Sequence, residues 1–292
     1  MTVAESAQTW TVAAVLKWAT DDFRARGIES PRLDAEVLLS RATGASRTQL
    51  VIDMLKPLAA PELARFREMV KRRRAREPVA YILGEREFYG RTFKVDARVL
   101  VPRPDTETLV DVALARTRAV SMCGRVLDLC TGSGCVAITI ARERPTMDVI
   151  GSDASEGALA VAEENALRLG AYNAWFVRSD LYGDLPRGTT FDLITANPPY
   201  IASGEIAGLS PDIAAFEPRL ALDGGADGFA LIERIVQGAP ERLERGGVLA
   251  MEVGAGQAER AAHMLEARGF TDVESARDYA RIERVVSGRW NP

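Results

Sequence analysis

An amide side chain, two imino acids and an aromatic ring stand in a row at Asn197-Pro198-Pro199-Tyr200. The six residues before them, Phe191-Asp192-Leu193-Ile194-Thr195-Ala196, form a short apolar run with the character of a buried strand. Two consecutive prolines can neither extend a ladder nor open a helix in the usual way, so the strand must stop there, and Pro198 holds Asn197 extended. The result is a stiff loop at the carboxyl end of a strand, where open α/β sheets bind ligands. A flat group bearing an NH2 could donate to the Asn197 side-chain oxygen and to the Pro198 carbonyl while packing on Tyr200. A lone Asn-Pro reads as a capped turn. The whole tetrapeptide at a strand end reads as a catalytic loop, with Asn197, Pro198 and Tyr200 as its working residues and Pro199 beside them.

A second loop supplies the partner chemistry. Val126-Leu127-Asp128-Leu129-Cys130-Thr131-Gly132-Ser133-Gly134 reads as a strand, a glycine turn and a helix start. Gly132 and Gly134 let backbone approach a ligand that side chains would exclude. Asp153 ends the next strand, where a carboxylate can accept from both hydroxyls of a ribose. Asp180 ends the strand after that and could accept an adenine amino proton beside the Leu181 backbone N–H. Gly132-Ser133-Gly134-Cys135-Val136-Ala137 also satisfies the dinucleotide fingerprint, so a dehydrogenase competes on that stretch alone. Asp128 next to the turn would repel a pyrophosphate but attract the cationic methionine end of S-adenosylmethionine. The Asn-Pro-Pro-Tyr loop has no part in hydride transfer, which favours a methyltransferase.

The elements that must hold these loops alternate. Strands are expected at Arg125–Leu129, Asp148–Ser152, Trp175–Arg178, Phe191–Ala196 and Gly247–Val253. Helices are expected at Ser133–Arg144, Ser155–Leu169, Phe229–Leu243 and Gln257–Arg268. Two further strands lie around Val273 and Val285, joined by a short link that suggests an antiparallel pair. This is an α/β chain with a mostly parallel, doubly wound, Rossmann-like sheet and an antiparallel last strand. Residues 1–80 read as four helices with no catalytic constellation, residues 81–101 as a β-hairpin linker turning at Gly90, and residues 102–292 as the catalytic domain. Asp105 or Thr106 is a candidate cap for the helix after the Pro102-Arg103-Pro104 loop. The basic run Lys71 to Arg76 is either a solvated helix end or a contact for RNA or an acidic partner.

Composition narrows the classes. With 37 basic and 41 acidic residues the formal charge is −4, which argues against coating nucleic acid by bulk electrostatics. Met1 to Ser6 show no basic and apolar leader, and no apolar run is long enough to cross a bilayer, so a cytoplasmic protein is expected. Cys123, Cys130 and Cys135 lack Cys-x-x-Cys spacing, which suits a reducing compartment and argues against a metal site. A single histidine, His263, leaves little for histidine-based catalysis.

The chain resembles the release-factor glutamine methyltransferases (PrmC/HemK). The resemblance rests on Glu77-Pro78-Val79-Ala80-Tyr81-Ile82-Leu83-Gly84, Phe88-Tyr89-Gly90, Pro102-Arg103-Pro104-Asp105-Thr106-Glu107, Asp128 to Gly134 and Asn197 to Tyr200. It continues through Phe216-Glu217-Pro218 with Ala221-Leu222, then Arg277-Asp278-Tyr279 with Glu283-Arg284, and so covers the whole chain. It implies a class I fold that uses S-adenosylmethionine, releases S-adenosylhomocysteine and methylates the glutamine amide nitrogen in the Gly-Gly-Gln motif of class 1 peptide chain release factors. The N-terminal helices would then recognise that protein partner, and a monomer is expected. The implied cofactor site is Asp128, Cys130, Thr131, Gly132, Ser133, Gly134, Asp153, Asp180, Leu181 and Asn197. The implied substrate site is Asn197, Pro198, Pro199 and Tyr200 with Phe88 and Arg103. Cys130 stands where the family loop often has glycine, and a cysteine there should resist φ > 0. Because DNA adenine-N6 methyltransferases share the Asn-Pro-Pro-Tyr loop, a DNA or RNA exocyclic-amino methyltransferase is the alternative. It would want a basic cleft or a target-recognition insert that the sequence does not display. A non-catalytic cofactor-binding module is the third reading, and an intact Asn197 and Tyr200 speak against it.

Overall fold

The computed structural model describes residues 10–118 and 123–292. Met1 to Ser6, read above for a leader, lie outside them. The chain folds as two compact units, the first ending at Gly84 and the second running from Glu85 to Pro292.

The first unit is helical: α1 (Val12–Ala25), α2 (Pro31–Thr43), α3 (Arg47–Ile52), α4 (Ala60–Arg74) and α5 (Val79–Leu83). Local chemistry sets the ends. Thr11 and Ser46 accept from the N–H groups of Ala14 and Gln49 to cap α1 and α3. Pro31 opens α2, and a left-handed Gly44 closes it. The helical region runs past residue 80, because Pro78 starts one more turn that ends at left-handed Gly84. Leu16, Phe23, Leu38, Leu39 and Phe66 form its core. The basic run is used inside this unit. Arg73 is buried against Asp34 at 2.7 Å, Arg74 pairs with Asp22, Arg72 with Glu77, and Arg76 donates to the carbonyl of Gly27. These arginines tie α4 to α1, α2 and the chain that follows.

The second unit opens with a hairpin, β1 (Glu85–Phe88) and β2 (Arg91–Lys94). The hairpin belongs with this unit and is not a free connector. Phe88 and Phe93 meet edge to face in its core, and Asn165 brackets Lys94 by accepting from its N–H and donating to its carbonyl. After α6 (Glu107–Arg116) come β3 (Arg125–Leu129), α7 (Cys135–Glu143), β4 (Asp148–Asp153), α8 (Glu156–Leu169), β5 (Ala174–Arg178) and β6 (Phe191–Ala196). Then follow α9 (Pro211–Ala214), α10 (Ala230–Gly238), β7 (Leu243–Glu252), α11 (Ala258–Arg268), β8 (Phe270–Arg277) and β9 (Glu283–Trp290). The sheet order is β5-β4-β3-β6-β7-β9-β8, parallel from β5 to β7, and β9 runs antiparallel to both of its neighbours.

Both faces of the central strands are buried, which is why they read as continuous apolar runs. Val126, Leu193, Val248 and Ala250 face the core under α6 and α7, while Leu127, Leu129, Ile194, Leu249 and Met251 face the one under α10 and α11. From β3 the chain winds outward one way through β4 and β5, then crosses back to β6 and β7 on the other side. The switch point therefore falls between β3 and β6, where an open α/β sheet leaves a crevice.

Candidate active site

Register brings the two loops together. Leu129 of β3 pairs with Ala196 of β6, so Cys130 and Asn197, the next residue of each strand, emerge side by side at the switch point. A cavity opens there. Of the residues expected from the sequence, Asp128, Cys130, Thr131, Gly132, Ser133, Asp153, Asp180, Leu181, Arg103, Asn197 and Pro199 line it. Thr106, Glu217's neighbour Pro218, Leu220 and Leu231 are among the other residues of its wall.

Each corner of the glycine loop has a cause. Cys130 adopts φ +57°, the left-handed region that its Cβ disfavours, so the turn imposes this conformation at a cost in backbone strain. Burial pushes its thiol far up from the usual cysteine range, with Asp153 and Asp128 adding to the effect. Thr131 N–H donates to the Ser152 carbonyl, and Gly132 N–H to Asp153 Oδ2 at 2.9 Å. At Gly134, φ is +78° and a Cβ would lie 2.8 Å from Ile138 Cδ1 and 3.1 Å from Ala162 Cβ. Only glycine lets α7 start this close to α8. Gly134 does not itself line the cavity.

The three acidic strand ends do different work. Asp128 is 1% exposed and accepts from Thr131 Oγ1 at 2.6 Å and Thr195 Oγ1 at 2.7 Å. Burial pushes it up to about 6 against those hydrogen bonds. It braces the loop from behind while giving that wall negative potential. Asp153 takes Gly132 N–H on one oxygen and Ser155 N–H on the other, and burial raises it too. Each of its oxygens keeps a further lone pair for a ligand hydroxyl. Asp180 is exposed and pairs with Arg234 at 2.8 Å, beside a buried Leu181 that also adopts positive φ. A carboxylate at the end of β4, an apolar flank of Leu181, Leu231 and Val136, and a glycine turn between them fit the ribose and adenine of a nucleoside cofactor.

The Asn-Pro-Pro-Tyr loop is pinned from outside. Ile201 bridges Asp223, with Ile201 N–H donating to the Leu222 carbonyl and Gly224 N–H returning to that of Ile201. Gln257 Nε2 donates to the Tyr200 carbonyl at 3.0 Å. Any Cβ on Gly228 would overlap that same carbonyl, so the glycine is required by close approach. Asn197 Nδ2 donates to Thr106 Oγ1 at 3.2 Å, which leaves Oδ1 without a claim on that contact, and the residue lines the cavity. Tyr200 is largely buried and its hydroxyl donates to Glu252 Oε1 at 3.3 Å; burial and the Glu252 charge push it far above the usual tyrosine range. Pro198 is buried behind Asn197, and neither it nor Tyr200 lies among the cavity-lining residues. Phe88 is not brought to the cavity: at 1% exposure it is packed against Phe93. Arg103 does reach the cavity, holding the buried Glu217 at 2.5 Å. Burial raises Glu217, with Arg103 opposing.

Sequence reading missed the roles of Glu252, Thr106 and Gly228. Glu252 is the last residue of an apolar strand and Thr106 was weighed only as a helix cap. The structure leaves Thr106 without a capping hydrogen bond and turns its hydroxyl to Asn197. Glycines following the Phe216-Glu217-Pro218 motif were the one signal available for the outer brace. Among the described residues, no cluster of three or more His, Cys, Asp or Glu side chains could hold a metal ion, and no helix is long and apolar enough to cross a membrane.

The sheet order, with its one antiparallel strand lodged between β7 and β8 and its crevice between β3 and β6, is that of the class I methyltransferases. Two solved structures share the fold at a TM-score of 0.50. One is a methyltransferase from Pyrococcus furiosus, at 16% identity over 70% of this chain and 91% of that one. The other is the 16S rRNA N2 G1207 methyltransferase of T. thermophilus, at 18% identity over 70% of this chain and 49% of that one. Residues 14–84 match the PrmC N-terminal domain and residues 106–210 the methyltransferase small domain. A release factor glutamine methyltransferase of Geobacter sulfurreducens is 43% identical over 98% of this chain and 99% of its own length. One from Bordetella pertussis is 45% identical over 88% and 94%. The chain belongs to the release factor glutamine methyltransferase family.

Proposed function

We propose that this enzyme transfers a methyl group from S-adenosylmethionine to the side-chain amide nitrogen (N5) of the glutamine in the Gly-Gly-Gln motif of class 1 peptide chain release factors. Within a chain of this family, one observation carries the reading: Asn197 and the glycine loop line a single cavity because Leu129 pairs with Ala196. When bound, S-adenosylmethionine supplies an electrophilic methyl on a sulfonium, and leaves as S-adenosylhomocysteine. Asp153 would take the ribose hydroxyls through its uncommitted lone pairs, with Asp180 and the Leu181 N–H at the adenine end and Gly132 and Ser133 along the backbone side. Asp128 adds negative potential without giving up its two threonine partners.

An amide nitrogen is a poor nucleophile because its lone pair is delocalised into the carbonyl. Asn197 Oδ1 and the Pro198 carbonyl would accept its two N–H groups, hold the nitrogen in line and favour pyramidalisation, and the proton displaced by the new N–CH3 bond would leave to water after the transfer. Positioning of this kind supplies several kcal/mol, on the order of 7–11 in the best systems. Arg103 and Pro199 border the acceptor from the cavity wall. The helical unit would select the release factor, and the enzyme would act as a monomer in the cytoplasm.

The test mixes release factor with wild-type enzyme or Asn197→Ala and maps the methyl group by mass spectrometry. Wild type should modify one glutamine in Gly-Gly-Gln, and the variant should lose at least ~10²-fold in kcat, as when one preorganised polar group is removed elsewhere. Methyl on adenine, lysine or arginine would overturn the assignment, and an active variant would overturn the role of Asn197.

A further inference from the structure

Arg103 is held at both its backbone and its guanidinium. Pro104 follows it and keeps it extended, at φ −98° and ψ 146°. Glu217 Oε1 accepts from its Nη2 at 2.5 Å. The Glu217 side chain is 1% exposed and that of Arg103 is 33% exposed, so a buried carboxylate carries a cation that lines the cavity. Taking a carboxylate out of water is costly unless it is paired, and here the pairing fixes one edge of the guanidinium. Among the described residues, no other hydrogen-bond partner takes the remaining N–H donors of Arg103.

Its neighbours place this cation along the cavity. Strand ends follow the sheet order β5, β4, β3, β6, so Asp180, Asp153, Cys130 and Asn197 succeed one another across the site. Thr106 N–H donates to the Arg103 carbonyl at 3.2 Å, and Thr106 Oγ1 accepts from Asn197, which puts Arg103 at the Asn197 end. A cofactor laid with adenine at Asp180 and ribose at Asp153 brings its amino-acid end to that side, as it must for the methyl to meet an acceptor there. The amino-acid end bears an α-ammonium and an α-carboxylate. The negative potential of Asp128 suits the first and opposes the second. The other basic residue of the wall, Arg98, already gives Nε and Nη2 to Asp96, and its stem lies beside Gly157 at the start of α8. Arg103 is the cation left to answer a carboxylate.

We infer that Arg103 binds the α-carboxylate of the methionine part of S-adenosylmethionine, and that Glu217 is the positioning residue that fixes the guanidinium for it. The inference rests on the cofactor assigned above and deepens it, because it sets Arg103 at the boundary where cofactor and acceptor meet. A guanidinium presents its donors in one plane, so an edge held by Glu217 leaves another edge for a second carboxylate. A lysine would bring the charge without the fork. An acidic side chain of the release factor has the same chemistry as the cofactor carboxylate, and the order of the strand ends favours the cofactor.

The test is calorimetry on the full chain without release factor, using S-adenosylmethionine and its decarboxylated form, which keeps the sulfonium, the amine and the nucleoside. Wild type should bind the complete cofactor ~10-fold or more tighter than the decarboxylated one, the scale of a charge-assisted hydrogen bond. Arg103→Gln should lose that factor on S-adenosylmethionine and bind the decarboxylated form as wild type does, which also shows its site to be folded. Arg103→Lys should recover part of the loss. Glu217→Gln should show part of it, again with the decarboxylated form unaffected. Equal weakening of both ligands by Arg103→Gln, or of neither, overturns the inference. So does an Arg103→Gln enzyme that keeps its cofactor affinity while its KM for release factor rises, because the guanidinium then answers a carboxylate of the protein. Each of these results leaves the methyl-transfer reading standing if wild type methylates glutamine. A wild type that binds no S-adenosylmethionine refutes the cofactor itself, and the role of Arg103 with it.

Discussion

Cys130 turns the chain out of β3 with a side chain where glycine would be at ease, at φ +57°. A left-handed conformation costs a non-glycine residue roughly 1–2 kcal/mol, so the usual order of truncation should reverse there. Cys130→Gly should be more stable than Cys130→Ala by about 1 kcal/mol in urea unfolding, since both lose the sulfur but only glycine relieves the backbone. Glu252 makes a separate prediction. Burial pushes its carboxyl up to about 7, above the ordinary glutamate value of 4.5. Between the two, the folded protein keeps a proton that the unfolded chain has released, so stability falls as the pH rises from 4.5 toward 7 and then levels off. The effect is on the order of 3 kcal/mol for a shift of that size. Glu252→Gln should match wild type near pH 4.5, exceed it at pH 8, and show a shallower slope between; parallel curves in urea titrations at four pH values would refute this.

At the scale of elements, the glycine turn and the start of α7 are one device. Gly134→Ala would set a Cβ 2.8 Å from Ile138 Cδ1 at a backbone angle alanine avoids. It should cost about 1–3 kcal/mol of stability and weaken cofactor binding, read by thermal melts with and without S-adenosylhomocysteine. Much of this layer was legible in the sequence. The runs Arg125–Leu129 and Phe191–Ala196 are strands with those bounds, because burial on both faces keeps them mostly apolar, and the buried polar pair Asp128 and Thr195 satisfies itself across them. Other elements were blurred by local exceptions. β7 begins at Leu243, four residues before the expected Gly247, since the Gly246-Gly247 stretch is an irregularity inside the strand and not its start. Pro240 lies in a 3-10 turn beyond α10, which therefore ends at Gly238 and not at Leu243. At the site, residues with their own signature, such as Asn197, Gly132 and Asp153, could be read from spacing. Thr106 with Asn197, Arg103 with Glu217, and Tyr200 with Glu252 could not. These contacts join residues 52 to 114 apart in sequence, and only the completed sheet brings them together.

At the scale of the molecule, chemistry and helices are separated at Gly84. Every residue of the candidate site lies in the second unit, and the first uses its basic run for its own packing. A chain starting at Glu85 should therefore bind S-adenosylhomocysteine with near-normal affinity in calorimetry yet methylate intact release factor poorly. Full-rate methylation by the shortened enzyme would remove partner selection from the helical unit. A chain that binds no cofactor would mean that the catalytic unit depends on the helices for its own fold.

The placement of β9 bears on how the protein is made. β9 follows β8 along the chain but lies between it and β7 in the sheet. In folding, β8 therefore has no neighbour to pair with, and the outer edge of β7 stays open, until β9 docks between them. Before that step the chain carries unmatched strand edges, a state prone to mispairing with other chains. Closure comes in one late insertion, so a lesion in β9 would detach β8 as well and leave β7, the strand that ends in Glu252, as an edge.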